Sequence, residues 1–475
     1  MSQRRVRLTP PDAADVAAAF ADLRASQEVE LGFPEDVVAD ARASARSPRL
    51  PDRDETEVPF VTIDPPGAKD LDQALHLERR DGGYRVRYAI ADVAAFVTPG
   101  GPMDREAHER GQTFYAPDAN ALLYPPELSE DAGSLLPEQA RPALLWTMDL
   151  DAEGEGVAVD VSRALVRSRA QLDYAGVQRT IDDGSADEPL LLLRVVGLLR
   201  QEREARRGGI DLPIPDQEIE LVGGGYRLAW RAQLPVEGWN AQLSLLTGQA
   251  AAELMLKAKV GVLRTLPKAD EGALARLRRS AAALGVAWPE AMSHQEFVRM
   301  LDPAAPAHAA VLAETTVLFR GSGYAAFDGE PPAQAKHAGV GAAYAHATAP
   351  LRRLVDRYVG EVCVAVCAGA TIPAWAREAL PGLPETMERS SRRAQQYEGG
   401  IVSTVEAALL AGSVGRVFDA VVVEADGDDG VVQLTDPAVT ARCEGADLPL
   451  GERVEVRLTL ADVAERRVRF ELARP

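Results

Sequence analysis

Cysteine is nearly absent: Cys363, Cys367 and Cys443 are the only three in 475 residues. So few cannot form a disulfide framework, which fits a reducing compartment. Cys363 and Cys367 stand four apart in an apolar run with no further cysteine or histidine nearby. That excludes a zinc site there and leaves both as small buried hydrophobes. No stretch approaches the roughly 20 consecutive apolar residues of a membrane helix. The basic start Met-Ser-Gln-Arg-Arg-Val-Arg leads into no apolar core of signal-peptide length. A soluble, cytoplasmic protein is expected. Positive charge is scarce as well, 52 Lys and Arg against 72 Asp and Glu for a net charge of -20. That argues against a broad basic footprint for polyphosphate. It does not exclude a local basic groove. The arginines do gather, as Arg352, Arg353 and Arg357, then Arg389, Arg392 and Arg393, then Arg466, Arg467 and Arg469. Any RNA site must be a positive groove inside an acidic shell.

What is present is ordinary globular composition, 46% hydrophobic and 26% charged, in a chain long enough for about two to four domains. Residues 10–25 read as a helix opened by proline and aspartate, with Val16, Phe20 and Leu23 on one face. A second helix runs from Phe33-Pro34 to about Ala45, and the proline- and charge-rich stretch 47–59 reads as a linker. The pair is compatible with a helix-turn-helix unit or, more simply, a small helical cap. Segments 60–63, 84–90 and 144–150 read as strands, with Gly82-Gly83 as a hairpin turn. Helical patterns dominate 170–410, for example 189–206, 242–266 and 352–367. From Gly412 five short β-rich runs follow, at 414–423, 431–434, 439–443, 453–460 and 466–472. That is the count and size of an OB-fold barrel. Its few aromatics, chiefly Phe418 and Phe470, would be the ones available for base stacking. The fold class is α+β multidomain: a small helical domain with linker over 1–55, a large mixed α/β domain over 56–410, and a five-stranded OB-fold β-barrel over 411–475.

The sharpest signal is Phe60-Val61-Thr62-Ile63-Asp64-Pro65-Pro66-Gly67-Ala68-Lys69-Asp70-Leu71-Asp72. A strand ends in an aspartate, a Pro-Pro-Gly turn follows, and two more carboxylates stand at alternate positions, on one side of an extended segment. Such crowding repels unless a cation neutralises it. Oxygen ligands suit Mg²⁺, with Mn²⁺ as the alternate, and such ions stabilise charge in phosphodiester hydrolysis. The same run also reads as a solvated acidic turn or as helix caps. An aspartyl-nucleophile phosphatase would need a second aspartate where Pro66 stands.

The run resembles the metal motif of the ribonuclease II and ribonuclease R family, whose catalytic unit is the RNB domain. The resemblance continues through Ala89-Ile90-Ala91-Asp92-Val93, Asp104-Arg105-Glu106-Ala107 and Arg110-Gly111-Gln112-Thr113-Phe114-Tyr115. It goes on through Leu123-Tyr124-Pro125-Pro126-Glu127-Leu128-Ser129 and Ser134-Leu135. Tyr344-Ala345-His346-Ala347-Thr348-Ala349-Pro350-Leu351-Arg352-Arg353 is similar to that family's second signature. The terminal barrel is similar to its RNA-binding OB-fold. The likeness covers about Phe33 to the C-terminus.

The resemblance implies a processive 3′→5′ exoribonuclease acting on single-stranded RNA as a monomer and releasing 5′-mononucleotides. Asp64, Asp70, Asp72 and Gln73 would hold metal, with Asp70, Asp72 and Arg352 catalytic. Tyr115 would stack on the terminal base, and Arg353 and Arg357 would contact RNA phosphates. Each has a plainer reading: Arg352 paired with Asp356 on a helix face, Tyr115 as core, Arg353 and Arg357 as solvated charge. His346 is expected to make a structural hydrogen bond. Several positions depart from the family. Gln73 stands where a second adjacent aspartate is usual, Ala349 for a serine and Leu354 for an aromatic. No glutamate–asparagine pattern occurs near Leu245. With only about 50 residues ahead of the catalytic domain, the family's N-terminal cold-shock barrels are not expected. Gln73 motivates the alternative, a catalytically weakened RNB protein that binds RNA 3′ ends without degrading them.

Overall fold

The structure is a computed structural model that describes residues 13–210, 215–222, 225–434 and 436–473. Helix α1 (Ala13–Ser26) buries Val16, Phe20 and Leu23, the face their spacing predicts. The expected opening of this helix at residues 10–12 lies outside the described residues. Helix α2 (Glu35–Arg46) buries Val37 and Ala41. The two do not share a core, because Val37 and Ala41 join the main cluster while α1 joins another. Residues 47–59 are not a free linker: Glu55 N donates to Leu165 O and Leu165 N to Arg53 O, each at 2.8 Å.

Strands β1 (Phe60–Asp64), β2 (Gln73–Arg80), β3 (Gly83–Ala91), β4 (Ala140–Asp151) and β5 (Gly156–Asp173), with helix α3 (Pro102–Arg110) between β3 and β4, form a closed barrel in that order. Successive strands are antiparallel, and β1 closes on β5 in parallel with Asp64 opposite Asp173. The β2–β3 turn requires glycine: a Cβ on Gly83 would stand 2.0 Å from Leu150 O. Phe60, Tyr88 and Trp146 are buried in the core around this barrel, as small barrels require.

Helix α4 (Tyr174–Asp182) starts where Asp173 accepts from Gly176 N at 2.7 Å, an ordinary N-cap. Helix α5 (Glu188–Arg207) ends at left-handed Gly208, and the hairpin β6 (Asp216–Val222) and β7 (Gly225–Arg231) follows. Helix α6 (Pro235–Ala258) is largely buried. It ends earlier than the expected 242–266, because Lys259 turns left-handed at φ 57°. The β-branched run after it forms β8 (Val260–Thr265), because a partner strand lies alongside to accept it. Helices α7 (Glu271–Ala283), α8 (His294–Arg299) and α9 (Pro306–Thr315) enclose a small core of their own. Then come β9 (Gly323–Asp328), the partner of β8, and the short pair β10 (Lys336–His337) and β11 (Ala342–Ala343).

Helix α10 (Leu354–Cys367) is buried almost throughout, short α11 (Ala374–Ala379) follows, and α12 (Leu383–Leu410) has 28 residues. At 1.5 Å per residue it is about 42 Å long. Strands β12 (Val417–Asp426), β13 (Asp429–Leu434), β14 (Thr440–Glu444), β15 (Arg453–Asp462) and β16 (Arg467–Leu472) close a second barrel in the order β12-β13-β14-β16-β15. These are the five expected strands. The expectation that Phe418 and Phe470 stack on bases is corrected: they are 4% and 1% exposed and meet edge to face, their ring centroids 5.9 Å apart. In a barrel this small the large side chains fill the interior. Its core is continuous with Ile401, Val405, Leu409 and Leu410 of α12 and with Tyr226 and Leu228 of β7.

Candidate active site

Strand β1 delivers Asp64 to the barrel rim, and the chain turns at Gly67, φ 84°, with Ala68 N donating to Pro65 O at 3.1 Å. The stretch that returns toward β2 is clamped by Ser134. Leu71 N donates to its Oγ at 2.9 Å, and that hydroxyl donates to Lys69 O at 2.6 Å. Leu71 is fully buried. Asp70 and Asp72 flank this anchor, so packing of one leucine fixes both.

Asp72 is 3% exposed. Its Oδ1 accepts from Leu351 N at 2.8 Å and its Oδ2 from Arg352 Nε at 3.0 Å. Burial pushes its carboxyl up to about 7, although Arg352 and the Leu351 amide pull the other way. Burial likewise pushes Asp64 up to about 6, and its Oδ2 is buried without a hydrogen-bond partner. Asp70 accepts from the Tyr115 hydroxyl at 3.0 Å, and its charge raises both Asp64 and Asp72. The three carboxylates therefore share one neighbourhood. Among the described residues, however, no three acidic, histidine or cysteine side chains stand close enough together to hold an ion. Asp72 faces Arg352 and Asp70 faces Tyr115. The all-oxygen donor set and the orphaned Asp64 oxygen have the chemistry that a hard divalent cation takes.

Arg352 is the exposed arginine of the second signature, its side chain 45% accessible. It pairs with Asp72, while the contact with Asp356 belongs to Arg353, through Nε at 3.0 Å and Nη2 at 2.8 Å. Asp356 also accepts from Ala349 N at 2.7 Å, so Arg353 braces the loop. Arg357 is not on a phosphate track. It is 2% exposed, donates to Asp104 at 2.6 Å and lies 4.8 Å over the Trp375 ring. One turn on from Arg353, it falls on the face of α10 that packs inward. Tyr115 keeps its ring at the surface, 37% exposed. Gln73 donates from Nε2 to Thr348 O at 2.6 Å and accepts from the Tyr88 hydroxyl at 2.5 Å. Its amide is thus turned to protein groups on both sides. His346 makes the structural contact expected of it, Nδ1 lying 2.7 Å from the Tyr324 hydroxyl. Burial holds it well below the ordinary histidine value.

Sequence reasoning missed Tyr88 and Ser244, whose oxygens are 3.0 Å apart beside Gln73, and Tyr174, which takes a hydrogen bond from Asn240 at 3.3 Å. Burial, and then the charge of Asp64, raise the Tyr174 hydroxyl. Tyr88 reads simply as an inward strand residue, and only its hydroxyl hints at more. Well away on the second barrel, Arg442, Arg466, Arg467 and Arg469 line a cleft of about 290 Å³ against Ser403 and Glu406 of α12.

Comparison with known proteins adds the family. Residues 52–368 match the RNB domain, and residues 416–473 match the RNase II-type exonuclease C-terminal S1 domain. The chain is 26% identical over 504 residues to Ribonuclease R of Escherichia coli, covering 94% of this chain and 60% of that protein. It is 27% identical over 413 residues to Ribonuclease R of Thermotoga maritima, covering 82% and 58%. The chain thus spans about 60% of the length of these relatives. Among solved structures, Mycoplasma genitalium RNase R in complex with ribose methylated single-stranded RNA superposes with a TM-score of 0.86 at 18% identity, over 97% of this chain and 78% of that one. Yeast Ssd1, a pseudonuclease, superposes with a TM-score of 0.67 at 15% identity, over 92% and 58%.

Proposed function

The chain belongs to the RNB-domain family, and from that premise we propose that it is a 3′→5′ exoribonuclease, hydrolysing single-stranded RNA processively to 5′-mononucleotides with Mg²⁺ or Mn²⁺. The observation that carries this reading is the pairing of buried Asp72 with the exposed Arg352, beside the partnerless oxygen of Asp64. Buried carboxylates of raised pKa next to one accessible guanidinium are characteristic of reaction centres.

Each residue then has a task. Asp64, Asp70 and Asp72 would hold the divalent ion, which when bound supplies Lewis-acid stabilisation of phosphoryl charge. Arg352 uses Nε on Asp72, which leaves the outer end of its fork for a phosphate oxygen and for charge that grows in the transition state. Tyr115 presents its ring for stacking on a terminal base, and its hydroxyl ties that ring to Asp70. The arginines of the second barrel suit contact with the RNA backbone, and preference for RNA over DNA would come from 2′-hydroxyl contacts. A relative of like fold was solved with single-stranded RNA, which supports the choice of partner. Action as a cytoplasmic monomer completes the proposal.

The test uses 5′-labelled single-stranded RNA with Mg²⁺, with chelator, and with Asp72→Asn. Laddering to a short limit product that needs metal and is lost in the variant is expected. Shifted but intact RNA would identify an RNA-end binder instead. Laddering that survives both controls would place the chemistry elsewhere.

A further inference from the structure

The signature segment that presents Leu351 N and Arg352 to Asp72 runs as an irregular loop from the end of β11 at Ala343 to the start of α10 at Leu354. A loop of this kind holds a reactive geometry only if its backbone is tied down by other groups. Asp72 grips it at Leu351 and Arg352, and Asp356 grips it at Ala349. Its earlier end is gripped by Gln73, whose Nε2 donates to Thr348 O at 2.6 Å. Gln73 is in turn fixed from behind. The Tyr88 hydroxyl donates to its Oε1 at 2.5 Å, and Ser244 Oγ of α6 stands 3.0 Å from the same phenol.

A neutral amide suits both contacts. It donates to a carbonyl at one end and accepts from a hydroxyl at the other. A carboxylate of the same length would set a lone pair against the Thr348 carbonyl. An aliphatic side chain would leave that carbonyl without a partner and the Tyr88 hydroxyl with Ser244 alone. We infer that Gln73 is a positioning residue, a neutral strut that sets the Arg352 loop over Asp72, and not a ligand of the metal site. The consequence is a site whose divalent ion would be held by Asp64, Asp70 and Asp72 without an amide oxygen. The inference rests on the nuclease reading only for its effect on turnover.

Three measurements on Gln73→Ala and on the near-isosteric Tyr88→Phe test it. Titration with Mn²⁺ alone by calorimetry should give an affinity within about twofold of the parent, because no ligand is removed. Amide exchange at Leu351 should accelerate about tenfold in Gln73→Ala and less in Tyr88→Phe, as expected for removal of one hydrogen bond. On single-stranded RNA kcat should fall about tenfold with KM within about twofold, since transition-state stabilisation is weakened and RNA grip is not. Weakening of Mn²⁺ affinity by about tenfold or more in Gln73→Ala while Tyr88→Phe stays within about twofold would make Gln73 a ligand and overturn the proposal, because loss of a supporting hydrogen bond would weaken both. Unchanged exchange at Leu351 in both variants would overturn it equally. An inactive parent would defeat the nuclease reading alone, and the exchange and Mn²⁺ results would still decide the strut.

Discussion

Two closed five-stranded barrels occupy this chain, and they differ in seam, sign and exposure. The first runs β1-β2-β3-β4-β5 and closes through the parallel pair of its first and last strands. The second places its parallel pair between β14 and β16, inside the strand order. Both interiors are filled with side chains and neither offers a bore. The chemistry is carried outside the interiors, and there the two diverge. On the first barrel carboxylates sit at the ends of β1 and β2, two of them pushed upward by burial. On the second, arginines stand on the outer face of β14 and β16. Shared architecture therefore says little about function, which follows from what the rim and outer face carry. Buried acids answer burial with a raised pKa, while exposed arginines give attraction that salt screens.

The contrast can be broken or sharpened by experiment. The largest effect belongs to the first barrel: Arg352→Ala should lower kcat by roughly 10²–10³-fold, as for removal of one transition-state donor, while RNA affinity changes little. A variant that loses affinity and keeps kcat would move Arg352 to the binding surface. The next effect belongs to the second barrel. Arg442→Ser with Arg467→Ser should weaken RNA binding about tenfold and flatten the dependence of log K on log salt by about 0.7 for each phosphate no longer neutralised. Turnover at saturating RNA should hold. A fall in kcat instead would mean that the two barrels do not divide the work.

The smallest effect is in pH. All six histidines lie at or before His346, so the second barrel has none. Burial depresses His346 well below its ordinary value, and His337 down to about 4. A depressed histidine favours the fold above its unfolded value near 6.5, and that contribution falls away as pH drops toward the folded value. The slope is at most about 1.4 kcal/mol per pH unit for each proton. Asp64 and Asp72 act with the opposite sign over this window, because burial raises both carboxyls. Hydrogen exchange between about pH 6.5 and 5 should therefore show the segment around His337 and His346 loosening ahead of the second barrel. His346→Gln should flatten that slope, and equal loosening of this segment and the second barrel would count against it.

Much of this is legible in the residues. The five strands of the second barrel alternate and are separated by turn residues, so period and punctuation suffice. Helix α5 ends at a glycine, and α1 shows its buried stripe. The closure of the first barrel is not legible, because it depends on a parallel pairing between residues about 100 positions apart that leaves no local pattern. Helix α6 gives way to β8 because pairing with β9 overrides propensity. At the site, Asp64, Asp70 and Asp72 fall in one neighbourhood as their spacing suggests, and Arg352 and Tyr115, which only the family resemblance points to, stand beside them. Arg357 does not, since clustering in sequence says nothing about which face of α10 turns inward. The place of Gln73 in the motif suggests a ligand, whereas its hydrogen bonds run to Tyr88 and Thr348, neither adjacent to it in the chain.

One helix belongs to both halves of the molecule. Because Ile401, Val405, Leu409 and Leu410 of α12 help fill the second barrel together with Tyr226 and Leu228, a cut ahead of residue 411 would strip that unit of its floor. A chimera that borrows this barrel from a relative would have to import the final turns of α12 and the β6–β7 hairpin along with it. The graft point belongs upstream of Ile401.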